Sequence, residues 1–354
     1  MPSQALGWGT DAADQPLKPM QFERRDLRPE DVAIRITYSG ICHSDLHTCR
    51  NDWKGSKYPV IPGHEIVGEV TAVGDSVTRH KVGDIVAVGC LVDSCMECDQ
   101  CQAGWEVFCL QGSIQTYNSP DRHLGGTTKG GYSDHIVVRD HFVLKVPDGM
   151  DVTRVAPLLC AGITTYSPLR QYGIGKDSKV GVVGLGGLGH MGVKLAAAMG
   201  AHVTMITTTE SKGADARELG AHDVILSTDP EQMKAAALRF DFILNTVPVA
   251  HDVQPYLQLL GRSGRMILVG AIEPMPSYHS LNLIWYNRAI GGSAIGGIPE
   301  TQEMLEFCAE HGIYPECEMI RMDEINTAYE RLLKNDVRYR FIVDMASLEH
   351  AGQA

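Results

Sequence analysis

The segment Gly63-His64-Glu65-Ile66-Val67-Gly68 sets a histidine and a glutamate side by side between glycines, just after Ile61-Pro62. Glycines let a bulky group such as a metal ion come close to the backbone. A histidine in a turn is weak evidence alone, since a local hydrogen bond commonly satisfies its ring. Two cysteines change its meaning. Cys42 lies in Gly40-Ile41-Cys42-His43-Ser44-Asp45, and Cys160 lies in Pro157-Leu158-Leu159-Cys160-Ala161-Gly162. Two thiolates and one imidazole make a three-ligand zinc set with one position open, the layout of a catalytic site rather than a structural one.

Such an ion binds the oxygen of an alcohol or a carbonyl. Zinc takes bound water from a pKa of about 15.7 to about 7, or roughly 12 kcal/mol, whereas a positioned general base contributes roughly 3–5 kcal/mol. The metal should carry the oxygen chemistry, and side chains should only conduct the proton. Ser44 and His47, just after the first cysteine, are the candidates for that conduction. Their plain alternatives are a helix cap and a surface histidine. Asp45 can orient His64 through its free ring nitrogen.

A second cluster is denser. Cys95-x2-Cys98-x2-Cys101-x7-Cys109 places four cysteines in fifteen residues of a loop. Four thiolates close a structural zinc site and hold a segment that has little apolar core of its own. An iron–sulfur cluster is the competing reading, but the usual ferredoxin run ends in a shorter gap and a proline, both missing here. Of ten cysteines, Cys49, Cys90, Cys308 and Cys317 stay unassigned, as core or surface thiols.

The elements that must position these groups change character along the chain. Up to about residue 155, short β-branched runs punctuated by glycine and aspartate predict a barrel or sandwich, with strands over 32–38, 66–73, 82–88 and 132–139. Beyond residue 160, strand and helix signals alternate. Lys179–Val183 is a buried-type strand, and Gly184-Leu185-Gly186-Gly187-Leu188-Gly189 after it fits G-x-G-x-x-G. A lone match is weak. Here a strand precedes it and a helix, Leu188–Met199, follows, which is the context that gives it meaning. The glycines let backbone approach a pyrophosphate, and the helix N-terminus supplies N–H donors. Strands over 202–206, 223–226, 241–245, 265–269 and 289–294, with helices over 214–219, 231–239 and 252–260, complete a doubly wound dinucleotide domain. Helices over 300–311 and 323–334 and a strand over 338–343 return to the first domain. The expected division is 1–158 with 298–354, and 159–297.

An acidic residue about 20 positions past the fingerprint would bind a ribose 2′-hydroxyl. This chain has Thr207, Thr208 and Thr209 there, then Glu210, Ser211 and Lys212. Hydroxyls and an ammonium suit a 2′-phosphate, so NADP(H) is expected over NAD(H), with Glu210 pointing away. The 354 residues carry a net charge of −12 and no run of lysine or arginine, which argues against nucleic acid and anionic membrane as partners. The first residues lack a secretory pattern, and no stretch approaches the roughly 20 apolar residues of a membrane span, so a cytoplasmic location is expected.

Taken together, these residues resemble the zinc-dependent medium-chain alcohol dehydrogenases, the standard example of the Cys2His catalytic set. More closely, the chain is similar to the cinnamyl-alcohol-dehydrogenase branch and its bacterial broad-specificity aldehyde reductases. The resemblance rests on Gly40 to His47, Pro62 to Glu65, the Cys95–Cys109 cluster, Ala156 to Gly162, Gly184 to Met191 and Asn335 to Phe341. It implies an α/β chain with a GroES-like β-rich catalytic domain plus a Rossmann domain, and an active site in the cleft. It implies Cys42, His64 and Cys160 as catalytic zinc ligands, and Glu65 as a glutamate that takes the fourth position when substrate is absent. Ser44, His47 and Asp52 would form the proton relay, with His43 on the coenzyme side. Thr207, Thr208, Thr209 and Lys212 stand where the branch has its 2′-phosphate site. Two zinc ions per subunit, NADP(H) and a homodimer joined through the Rossmann sheets follow, with alcohols and aldehydes as substrates. Trp53 and Ala294 depart from the plant pocket, so aromatic and medium aliphatic aldehydes fit better than a coniferyl ring. An NAD-dependent polyol dehydrogenase is the other enzyme reading, and a zinc- or redox-sensing binding protein the non-enzymatic one.

Overall fold

In a computed structural model, residues 3–270 and 273–348 are described. The chain divides into two compact units, Met1–Cys160 with Gly296–Ala354, and Ala161–Ile295. The first is built on a mixed sheet of seven strands, ordered Cys317–Arg321, Arg340–Asp344, Asp31–Ile41, Ile66–Val73, Ile85–Val88 and Leu144–Lys145, with His135–Arg139 also paired to Asp31–Ile41. A hairpin, Ser3–Gly9 with Lys18–Arg24, forms a separate small sheet.

The long strand Asp31–Ile41 is the spine. Val32, Ile34, Ile36 and Ile41 are buried, and Ile66, Val67, Val70 and Val86 pack on the neighbouring strands. Its first residue is anchored electrostatically. Asp31 is fully buried and takes paired bonds from Arg25 at 3.0 and 3.0 Å and from Arg28 at 2.9 and 2.9 Å. Burial alone would raise its pKa, but the Arg28 and Arg25 bonds more than offset this and hold the carboxyl well below its usual range. The folded pKa is therefore depressed, and the stabilisation is present above about pH 4 and lost as pH falls below it. Asp31→Asn is expected to cost about 2 kcal/mol at pH 7, the arginines being partly solvated. The gap in melting temperature from the parent should narrow progressively as pH falls below about 4; a constant gap would show that the charge is not the cause.

The second unit is a six-stranded parallel sheet ordered Asp223–Leu226, His202–Thr207, Lys179–Val183, Phe240–Asn245, Leu260–Leu268 and Ala289–Gly292. The order reverses beside Lys179–Val183, which places the switch point where the glycine-rich turn leaves that strand. Phe240, Ile243, Leu257, Leu260 and Met266 form one of its apolar clusters.

Several boundaries differ from those the sequence predicts. The helix expected over 231–239 ends at Ala235, and the strand expected from 265 begins at Leu260. The first strand stretch of 132–139 is irregular until His135, because residues 130–132 bond to a neighbouring segment instead. The hairpin, the helix Ala161–Gln171 and the strand Cys317–Arg321 have no counterpart in the sequence reading.

Candidate active site

Strand register brings the candidate metal ligands together. Phe341 pairs with Ile41 and Ile66 pairs with Ser39, so Arg340, Cys42 and Glu65 all leave the same end of adjacent strands. Gly40 N–H donates to Glu65 O at 2.8 Å. A Cβ on Gly40 would lie 2.0 Å from Glu65 Oε2, so only glycine lets that carboxylate lie across the strand. Cys42 then starts the helix His43–Cys49; its N–H donates to Asp45 Oδ2 at 2.9 Å, and Asp45 closes the helix start. Cys160 follows a 3-10 turn, Ala156–Leu159, that begins with a proline-containing step and is entirely buried.

The resulting group is Cys42, His64, Glu65 and Cys160, whose donor atoms lie within 4.8 Å of one another. The two sulfurs are 3.9 Å apart. His64 Nδ1 lies 3.0 Å from Asp45 Oδ1, which leaves Nε2 as the nitrogen free to ligate. Cys160, then Arg340 and His64, hold the Cys42 thiol well below its ordinary pKa, the thiolate being the form that binds metal. Burial works against a charged His64, but Asp45 outweighs it and raises the imidazole well above its usual value. These donors fit a zinc ion: soft sulfur and imidazole, buried, with an oriented ring.

Glu65 is fully buried and paired with Arg340, itself only 5% exposed. Burial pushes the Glu65 carboxyl up to about 7, whereas the same contact raises the arginine still further. The first shift favours a neutral carboxylic acid, whereas the second is driven by an ionised Glu65. The ion pair is the state the geometry describes, because a guanidinium at bonding distance does not give up its proton.

The flanking residues separate into two groups. Ser44 Oγ lies 3.6 Å from Cys42 Sγ. His47 Nδ1 is 2.7 Å from Asp52 Oδ2, and its ring lies against Trp53. The rings of His43 and His47 are 6.1 Å apart. Three nearby side chains carried no signal in the sequence reading: Arg340, Tyr117, whose ring centroid is 5.8 Å from that of His64, and Cys90, whose thiol faces Leu159 O at 3.7 Å. An arginine opening the apolar run Phe341-Ile342-Val343 was the available hint for the first.

The second cysteine group is equally compact. Cys95, Cys98, Cys101 and Cys109 offer sulfurs within 4.8 Å of one another, with Cys98 and Cys101 3.6 Å apart. Backbone N–H groups of Cys98, Leu110 and Cys95 donate to the sulfurs of Cys95, Cys98 and Cys109 at 3.4 Å each. Backbone donors pull the Cys98 thiol down to about 6. Four such sulfurs and no open position suit a structural zinc ion.

In the other unit, Gly184 turns the chain with φ +89° and Gly189 begins the helix Gly189–Ala198. A Cβ on Gly189 would lie 1.9 Å from Gly184 O, while one on Gly186 would meet nothing within 4 Å. Gly189 thus serves the close strand–helix packing, and Gly186 leaves open space where a pyrophosphate would approach. Leu185 is buried, and Gly187 and Leu188 are partly exposed. Thr207 ends its strand buried, whereas Thr208, Thr209, Glu210 and Lys212 are exposed at and beyond that end.

Residues 28–148 match the family described as alcohol dehydrogenase GroES-like domain, and residues 187–310 the one described as zinc-binding dehydrogenase. An aldehyde reductase, YahK, of Escherichia coli (strain K12) is 55% identical over 342 residues, covering 96% of this chain and 98% of that protein. The chain belongs to the zinc-dependent medium-chain alcohol dehydrogenases. Within this family it sides with the cinnamyl-alcohol-dehydrogenase branch. The cinnamyl alcohol dehydrogenase SbCAD4 of Sorghum bicolor superposes with a TM-score of 0.94 at 45% identity, over 97% of this chain and 98% of that one. The enzyme named CAD from Helicobacter pylori, solved with NADP(H), gives 0.91 at 43% identity over 98% and 99%. The GroES-like and Rossmann architecture expected from the sequence is the architecture of this medium-chain dehydrogenase. Among its described residues no helix is long and apolar enough to cross a membrane.

Proposed function

We propose that this chain is an NADP(H)-dependent alcohol dehydrogenase and aldehyde reductase that interconverts primary alcohols and aldehydes. The observation that carries the reading is the buried Cys42, His64 and Cys160 group, oriented by Asp45, in a chain that also holds a dinucleotide fold. Zinc held by those three residues would supply a Lewis acid for the substrate oxygen, and bound NADP(H) the hydride. Asp45 fixes the ring of His64. Arg340 holds Glu65 ionised as a reserve fourth donor. Ser44 beside Cys42 and the His47–Asp52 pair are placed to pass the substrate hydroxyl proton toward solvent, with Asp52 43% exposed at its side chain.

Thr208, Thr209 and Lys212 present two hydroxyls and an ammonium for a 2′-phosphate, with His43 assigned to the coenzyme side. The metal-ligating thiols imply a reducing compartment, and we place the enzyme in the cytoplasm. The parallel sheet ends at Ala289–Gly292, beside exposed Ile284 and Trp285. A second copy pairing there would cover both, which supports a homodimer. The test is a panel of aldehydes assayed with both coenzymes. NADPH should give a kcat/KM at least about 10-fold above NADH, equivalent to about 1.4 kcal/mol of 2′-phosphate recognition. Lys212→Ala should narrow that ratio, and a preference for NADH would refute the coenzyme assignment.

A further inference from the structure

Asp45 does more than touch His64, and what fixes Asp45 is not part of the metal set. We propose that Tyr132 is a positioning residue for the catalytic metal site, acting through Asp45 on His64. The inference rests on the reading of Cys42, His64 and Cys160 as metal ligands.

Asp45 is fully buried and takes four donors. Oδ1 accepts from Gly63 N–H and faces His64 Nδ1, both at 3.0 Å. Oδ2 accepts from Cys42 N–H at 2.9 Å and from the Tyr132 hydroxyl at 3.3 Å. One carboxylate therefore links the backbone of one ligand to the ring of another. The final torsion of an aspartate is broad, so its donors decide how the carboxylate plane is turned. Three of those donors lie on the ligand-bearing segments themselves. Tyr132 is the one that comes from a third segment, and so it is the one that braces the carboxylate from outside the two ligand-bearing stretches.

The third segment is tightly held. Gly130, Gly131 and Tyr132 donate their N–H groups to Ile61 O, Gly63 O and Pro62 O at 2.7, 2.8 and 3.0 Å. A Cβ on Gly130 would lie 2.3 Å from Pro62 O, and one on Gly63 would lie 2.8 Å from the Tyr132 ring. Buried Arg24 locks the same turn, donating to Gly130 O at 2.9 Å and Ser133 Oγ at 2.8 Å. Tyr132 is thus held by its backbone to the segment that carries His64 and by its hydroxyl to Asp45. A phenylalanine at 132 would fill the same space and pack as well; only the hydroxyl serves the carboxylate.

The experiment is zinc release from the metal-loaded full chain to an excess of chromophoric chelator. The two zinc sites should release in two phases, and the phase missing in His64→Ala belongs to the catalytic site. Tyr132→Phe should speed that phase roughly 10-fold, the lower end of what loss of an outer partner does to a metal site. The phase from Cys95, Cys98, Cys101 and Cys109 should not change and serves as internal control. Arg24→Lys, which loosens the turn that holds Tyr132, should speed the same phase by a smaller factor, and it carries the test if Tyr132→Phe does not fold. An unchanged catalytic phase, or equal acceleration of both, would overturn the proposal by showing a packing role only. If His64→Ala itself removes neither phase, the metal assignment fails instead, which is a different result.

Discussion

His64→Ala protein should purify folded, retain one zinc instead of two, and lose aldehyde reduction by roughly 10³-fold or more. The magnitude follows from what the metal supplies. Lewis-acid stabilisation of a developing alkoxide is worth several kcal/mol, and each 1.36 kcal/mol is tenfold in rate. The ring is 5% exposed and held on Nδ1 by Asp45, so alanine removes the nitrogen and leaves that carboxylate buried beside one donor fewer. Two cysteine sulfurs remain 3.9 Å apart and Glu65 is engaged by Arg340, which leaves too weak a donor set to retain zinc against water. The fold should survive, because the strands beneath this site are paired by backbone bonds and an apolar core that do not involve the imidazole. Cys98→Ser is the counterpart. It should leave the catalytic donors in place yet lower the melting temperature by about 10 °C, since metal binding to the four-cysteine loop contributes folding energy directly. Metal content, a melting curve and kcat measured on both variants separate the roles. Equal activity in His64→Ala, or an unmoved melting curve in Cys98→Ser, would reject the corresponding assignment.

What was readable in the sequence and what was not follows the range of each signal. The four-cysteine loop spans fifteen residues, so its spacing alone defines it. The glycine fingerprint is local too, and the structure explains each glycine by a contact or an open space. The helix Ala161–Gln171 has no sequence signature because it is buried from Ala161 to Leu169 and contains Pro168, so it shows no amphipathic stripe. The strand Leu260–Leu268 extends further back than its sequence predicts, because Gly261 and Gly264 resemble turn punctuation. Arg340 and Tyr132 are different in kind. Arg340 reaches Glu65 across 275 positions, and only the pairing of Phe341 with Ile41 puts it there. Tyr132 reaches Asp45 across 87 positions through a turn whose hydrogen bonds leave no pattern in the residue types. Contacts that depend on register between remote strands have no local signature, even where the strands themselves do.

Arg340→Met tests the one buried cation that faces Glu65, and its expected effect on stability is the largest of any substitution outside the cysteines. The guanidinium is 5% exposed and faces Glu65, which is fully buried. Removing one partner of a buried pair strands the other, at a cost of about 3–5 kcal/mol, far more than a surface bridge would lose. Methionine keeps the volume, so packing loss is small and the penalty is that of an unpaired carboxylate. That carboxylate then has two ways to relieve itself. It can take up a proton, to which burial already inclines it, with a carboxyl pushed up to about 7. It would also be available as a donor to a metal held by Cys42, His64 and Cys160, since its Oε1 lies 4.0 Å from His64 Nε2. Glu65→Gln should be costly too, because it strands the buried guanidinium, but the double variant should lose far less than the sum of the two singles, because neither charge is then left unpaired. A double-mutant cycle from denaturant melts measures this directly. A coupling energy near zero would mean that the two side chains are adjacent without depending on one another, and Arg340 would then owe its burial to the apolar strand that carries it.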